Sequence, residues 1–167
     1  RYPIACLTIH PRVRPELYKG TVHRDLFAWA VSESRIPLCY NGDLLTVEDI
    51  TAVERDFPTV EAVMVGRGAV ADPALLRKLR GGPAATRQEV EEFTGELYQA
   101  YQDFYGQPGH AAQRMKEVWF YLIHLFDGAE KHAKQMRRLH TPRDYEALAA
   151  AIFQELPLRD HAEGRFA

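Results

Sequence analysis

Apolar and polar positions in the first half of the chain alternate between short strand-like runs and longer helix-like segments. The apolar runs at 4–9, 36–40 and 60–65 have the length of buried strands. Between them, residues 24–34 and 46–57 carry apolar side chains at helical spacing. The pattern therefore predicts parallel strands that alternate with helices.

Local start and stop signals support these helices. Thr46 and Asp49 have the spacing of a capping box. Asp72-Pro73 supplies an N-cap and a proline for the first position of a further helix, which Gly81-Gly82-Pro83 ends. Residues 1–83 are thus interpreted as three β/α units.

The second half of the chain contains only helical patterns. Thr86 and Glu89 form another capping box, and a regular apolar stripe follows them. Later helices are expected over 129–139 and after Thr141-Pro142. Residues 84–167 are therefore interpreted as an all-α helical bundle.

Three β/α units cannot close a (β/α)8 TIM barrel, which needs eight strands. Left open, a sheet of three parallel strands would expose long edges. We therefore expect an α/β fold in which residues 1–83 are the last three units of a larger barrel. The opening Arg1-Tyr2-Pro3, without an initiator Met, fits the expectation of a C-terminal fragment.

Composition narrows the class of protein further. Of the residues, 46% are hydrophobic, yet no run is long enough to span a membrane, and no signal peptide is apparent. Cys6 and Cys39 lie in strand-like runs and are expected to be reduced and buried, as in a cytoplasmic protein. The net charge is −2, so nucleic-acid binding would need a local basic patch.

Two glycine turns, Asn41-Gly42-Asp43 and Gly66-Arg67-Gly68, follow consecutive strands. Glycine lets a backbone approach a phosphate closely, and Arg67 could pair with that phosphate. Asp43 would repel it, so we expect its side chain to hold a turn or a sugar hydroxyl. Two ordinary turns that need glycine are the alternative, but their shared sheet edge favours a phosphate site.

His10 ends the first strand, where an imidazole could contact a cofactor ring or simply cap a loop. Arg12, Arg14 and Lys19 follow it, with Tyr18 between them. Residues 110–143 carry a second, richer set of basic side chains, including Arg114 and Lys116. These two regions could bind a nucleic-acid backbone, or they could be solvated surface.

Four runs of residues resemble the tRNA-dihydrouridine synthase family. Leu7–Arg14, continuing to Tyr18-Lys19-Gly20, resembles its histidine loop, and Ile36–Asp43 and Ala62–Ala69 resemble its two glycine-ended strands. Arg114–Leu122 resembles the start of a helix in its tRNA-binding domain. The resemblance covers nearly the whole chain in order.

This resemblance implies an FMN-dependent oxidoreductase of tRNA processing, in which NADPH reduces the flavin and uridine in tRNA becomes dihydrouridine. It implies no metal and no membrane. The FMN contacts that it implies are His10, Asn41, Gly42, Asp43, Gly66, Arg67 and Gly68. The RNA contacts that it implies are Arg12, Arg14, Arg114 and Lys116.

The chain also departs from the family pattern. Pro11 and Val13 replace the glycine and threonine that the family has after the histidine. In the family that the chain resembles, the general-acid cysteine and the flavin-binding lysine belong to earlier strands, and neither Cys6 nor Cys39 matches that cysteine. We therefore expect no catalytic residue here, an inactive fragment, and a partner in the missing N-terminal barrel half. Another FMN barrel oxidoreductase acting on a small molecule, or a non-catalytic RNA-binding module, are the alternatives.

Overall fold

A three-stranded parallel sheet organises the first part of the chain. The computed structural model describes residues 2–16 and 20–164, which form two compact units dividing after Gly68. In the first unit, β1 (Leu7–Ile9), β2 (Leu38–Tyr40) and β3 (Ala62–Val63) lie in the order β1-β2-β3. Each strand is shorter than predicted, but the parallel arrangement is confirmed.

Two helices connect these strands, namely α1 (Arg24–Glu33) and α2 (Val47–Asp56). The predicted capping box of α2 is present, because Thr46 Oγ1 accepts from the amide of Asp49 at 3.1 Å and the Asp49 carboxylate accepts from the amide of Thr46 at 2.9 Å. An aromatic cluster packs between the helices and the sheet. It comprises Phe27, Tyr40 and Phe57, with Phe27 edge-on to both other rings.

Burial differs sharply between the strands. All three residues of β2 are buried, because β2 has a neighbour on each side. In β1, by contrast, Leu7 is 43% exposed, and the preceding Ile4 is 55% exposed. Cys6 is also exposed, so the predicted burial of this strand and of Cys6 is wrong within this chain. An apolar edge of the sheet thus remains accessible.

The turn at Gly66-Arg67-Gly68 is shorter than predicted, because helix α3 (Arg67–Ala71) already begins at its arginine. The predicted N-cap at Asp72 is also wrong. Helix α4 (Leu75–Leu79) has Ala74 as its N-cap residue, and the Asp72 carboxylate accepts from the Ala74 amide at 3.1 Å. Asp72 is buried and forms an ion pair with Lys78.

The remaining helices, together with α4, belong to the second unit. They are α5 (Arg87–Tyr105), α6 (Pro108–Leu122), α7 (Glu130–Arg138) and α8 (Pro142–Glu155), with 3-10 turns at Ile123–Leu125 here and at Arg14–Glu16 in the first unit. The capping box of Thr86 and Glu89 is present. Phe104, which continues the apolar stripe of α5 in the sequence, is 80% exposed.

Trp119 is the centre of the helical core. It is fully buried, its ring lies against Phe126 and Phe153, and its indole N–H donates to the hydroxyl of Tyr145 at 3.3 Å. Burial raises the pKa of Tyr145 to about 12. The packing of α6 against α8 therefore includes a buried polar contact.

The compact units are defined only by contacts between residues, and such a unit is not the same as a domain. The predicted domain boundary between residues 83 and 84 therefore stays a prediction.

Among the described residues, no helix has the length and apolar character of a membrane span. In the same ranges, no group of three or more His, Cys, Asp or Glu side chains could hold a metal ion.

Candidate functional site

A small cavity of about 100 Å³ lies where the three parallel strands end. Six of the seven side chains or glycines predicted to contact a cofactor line it, and Gly68, in α3, does not. The lining residues are His10, Asn41, Gly42, Asp43, Leu44, Leu45, Met64, Gly66 and Arg67. The fold thus gathers residues that are up to 57 positions apart in the sequence, from His10 to Arg67.

Asn41 joins the carboxyl ends of all three strands. Its backbone amide donates to the carbonyl of Ile9 at 3.0 Å, and its side-chain amide donates to the carbonyl of Met64 at 2.6 Å. Its own carbonyl accepts from His10 Nδ1 at 2.8 Å. Since a carbonyl only accepts, a neutral His10 carries its proton on Nδ1 and presents Nε2 as an acceptor.

Two arginines converge on Asp43. Arg12 donates through both terminal nitrogens, at 3.1 and 2.7 Å, and Arg67 Nη2 donates at 2.8 Å. The exposed fractions of the side chains are 2% for Arg12, 16% for Arg67 and 32% for Asp43. Asp43 has a φ of 47°, a left-handed conformation that Asp and Asn adopt more readily than most residues. From the sequence, Asp43 was expected to hold a turn or a sugar hydroxyl, and its pairing with two arginines was not predicted.

The ionisation of Asp43 follows from this arrangement. Burial by itself would raise the pKa of Asp43, but the hydrogen bonds and charges of Arg12 and Arg67 outweigh it and lower the pKa. The hydrogen bond to Asp43 in turn raises the pKa of Arg12. Two cations around one carboxylate leave a net positive charge beside the cavity, which suits an anion.

The two glycines at the cavity differ in their surroundings. A Cβ on Gly42 would lie 2.8 Å from Val22 Cγ1 and 3.2 Å from the hydroxyl of Tyr40. A Cβ on Gly66 would meet nothing within 4 Å. Packing therefore explains the glycine at position 42, whereas at position 66 the protein leaves open space beside the backbone.

The residues predicted to contact RNA are in varied surroundings. Arg12 is held by Asp43, so an RNA contact would require its guanidinium to leave that carboxylate. Arg14 is exposed in its 3-10 turn. Arg114 is half exposed and donates to Glu117 at 3.0 Å, and the ammonium of Lys116 donates to the carbonyl of Leu139 at 2.9 Å. Tyr18 and Lys19 lie outside the described residues.

A larger cavity lies in the helical unit between α6 and α7, and we call it the α6–α7 groove. Its volume is about 520 Å³, and its lining includes Lys116, Phe120, Lys134 and Arg137. Sequence reasoning noted the basic residues but not the groove. The sequence signal that could have indicated the groove is the separation of basic from apolar positions on α7. The apolar residues Ala133 and Met136 line the groove together with the basic ones.

Comparisons with known proteins show which family the chain is similar to. The family model for dihydrouridine synthase (Dus) matches residues 4–156. A protein of Rhizobium leguminosarum bv. phaseoli named probable tRNA-dihydrouridine synthase is 29% identical over 92% of this chain and 47% of its own length. The tRNA-dihydrouridine synthase B of Pseudomonas aeruginosa is 31% identical over 90% of this chain and 46% of its own.

A third relative matches a shorter part of the chain. The tRNA-dihydrouridine(16) synthase of Ralstonia nicotianae is 36% identical over 52% of this chain and 26% of its own length. The chain spans about half the length of the curated relatives that it matches along most of its residues. With a family model covering residues 4–156, the chain belongs to the dihydrouridine synthase family.

Proposed function

We propose that this chain is the C-terminal part of an FMN-dependent tRNA-dihydrouridine synthase, which uses NADPH to reduce uridine in tRNA to 5,6-dihydrouridine. The observation that carries the proposal is the cavity at the strand ends, where the fold places a basic side chain and open backbone together. Family membership supplies the reaction, since relatives are named for it.

The size and charge of the cavity fit the phosphate end of such a cofactor. Its volume of about 100 Å³ is that of roughly three waters at ~30 Å³ each, and pockets for whole organic ligands occupy about 300–1,000 Å³. The space beside Gly66 and the guanidinium of Arg67 suit a phosphate. His10 would then lie on the side of the flavin ring.

A bound FMN would supply the redox chemistry, the transfer of a hydride to the uracil ring with NADPH as the reductant. This chain's residues would anchor the phosphate and orient the ring. Walls for the ring would come from the rest of the barrel, which we place against the accessible apolar residues around β1, such as Ile4 and Leu7. The general acid would also come from that part, so we expect the 167 residues alone to be inactive.

The helical unit is the proposed tRNA-binding part. A uridine inside folded RNA must leave its stack before its ring can be reduced, so the enzyme has to hold the backbone while the base enters. In this unit, the exposed Arg114 and the half-buried Lys116 are candidates for backbone contacts. In the first unit, Arg14 is exposed and is a further candidate, whereas Arg12 is buried against Asp43. Because tRNA is the proposed substrate, we also propose a cytoplasmic location.

Flavin retention tests the proposal. The protein expressed from its complete gene should be yellow, release FMN on denaturation, and form dihydrouridine in unmodified tRNA when NADPH is added. Arg67→Ala should retain less FMN, whereas Arg35→Ala, which changes an exposed arginine before the amino end of β2, should retain it fully. A colourless protein that gains no flavin on reconstitution would refute the proposal.

A further inference from the structure

The α6–α7 groove combines an apolar floor with a basic rim. Trp119, Ile123 and Met136 contribute to the floor, and the ring of Phe120 is 38% exposed beside them. A volume of about 520 Å³ lies within the range of pockets that take small organic groups. The groove is therefore large enough for one flat ring with its substituents.

Two cations of the rim are available to a ligand. Lys134 and Arg137 are exposed and lie three positions apart on α7, so they share one side of that helix. Within residues 2–16 and 20–164, neither makes a hydrogen bond or an ion pair. Arg159, by contrast, is held by Asp127 and Glu163.

The charge of the whole lining is also positive. Four basic residues face two acids, and one of these acids, Glu163, is paired with Arg159. Burial lowers the pKa of the His124 imidazole, which favours its neutral form. The groove thus favours a ligand that has an apolar flat part and a negative part.

We propose that the α6–α7 groove takes one unpaired nucleotide of the tRNA, its base against Phe120 and its neighbouring phosphates on Lys134 and Arg137. This inference rests on the proposed function. An unstacked base offers a ring face to aromatic side chains, whereas bases inside a duplex are already stacked. The groove would then be a second contact with the tRNA, formed entirely within the helical unit.

Salt dependence tests the phosphate contacts. The slope of log affinity for tRNA against log salt is negative. In Lys134→Gln with Arg137→Gln its magnitude should be smaller by about 1.4, at ~0.7 for each phosphate of a single strand. The loss of affinity between 50 and 200 mM salt then becomes about sevenfold smaller. The matched control, Lys131→Gln with Arg138→Gln, changes the same charge on α7 at residues that do not line the groove.

Chemical probing of the tRNA tests the base. One unpaired nucleotide should be protected by the wild-type protein and by the control pair, but not by Lys134→Gln with Arg137→Gln. Phe120→Leu should weaken binding by about five- to tenfold. Phe104→Leu, which changes an exposed ring on α5 outside the groove, should leave binding unchanged.

The outcomes separate the two proposals. If the wild-type protein binds no tRNA, the proposed function and the groove assignment both fail. If it binds tRNA but the two charge pairs behave alike, only the groove assignment is overturned. A lowered salt slope without a protected nucleotide would show backbone contact alone and would also overturn the nucleotide site.

Discussion

Replacing each cavity glycine by alanine should have opposite effects at the two turns. Gly42 is buried, and its new Cβ would lie 2.8 Å from Val22 Cγ1, closer than real Cβ contacts. The β-branched Val22 has few rotamers with which to retreat. Crowding of this kind costs about 1–3 kcal/mol, so Gly42→Ala should lower the free energy of unfolding by that amount.

Gly66→Ala should leave the fold intact. Its Cβ would meet nothing within 4 Å, and its backbone lies outside the left-handed region. The loss of freedom in the unfolded chain should even raise the free energy of unfolding by about 0.4–1 kcal/mol. The methyl group would, however, occupy space that we assign to the cofactor phosphate, so FMN retention should fall.

Urea unfolding and FMN content of the protein from the complete gene measure both effects. A second substitution provides the internal control, since Val22→Ala removes the atom that the new Cβ at position 42 would meet. In a double-mutant cycle, it should restore most of the stability lost in Gly42→Ala. Equal stability losses at positions 42 and 66, or no rescue by Val22→Ala, would refute this account of the two turns.

Two further predictions concern the helical unit. The pKa of Glu89 is lowered to about 2 by its hydrogen bonds from Arg77 and from Thr86, so Arg77→Gln should raise it toward 4.5 in an NMR titration. An unchanged pKa of Glu89 in Arg77→Gln would contradict this cause. Since the pKa of Glu89 is lower in the folded protein, its stabilisation is complete above pH 4.5 and is lost as the pH falls toward 2. Tyr145→Phe leaves the buried indole N–H of Trp119 without its acceptor, so the free energy of unfolding should fall by about 1–3 kcal/mol. Calorimetry that detects no loss would show that this hydrogen bond contributes nothing.

Features set by neighbouring residues were predictable from the sequence. The capping boxes at Thr46 and Thr86 involve residues three positions apart, and both are present. The gathering of the two turns was also predictable, because the carboxyl ends of parallel strands meet at one edge. Features that depend on residues far apart in the sequence were not predictable. The pair of Asp43 with Arg12 spans 31 positions, and the clash that requires Gly42 comes from Val22.

The predicted burial of β1 was wrong for a related reason. An apolar run is buried only if something covers it, and pattern alone does not say what does. Thus β2 is buried by its neighbours while Leu7 of β1 is 43% exposed. The helix that starts at Arg67 was missed because it has five residues, too few to produce a periodic pattern.

The three hydrogen bonds of Asn41 have a consequence for affinity. They fix the strand ends relative to one another in the folded chain, so a ligand meets a site that is already assembled. Ordering loops at the moment of association weakens binding, and rigidity established beforehand avoids that loss. The backbone and side chain of one asparagine thereby make the sheet edge a preorganised receptor, whose conformational entropy is lost before any ligand arrives.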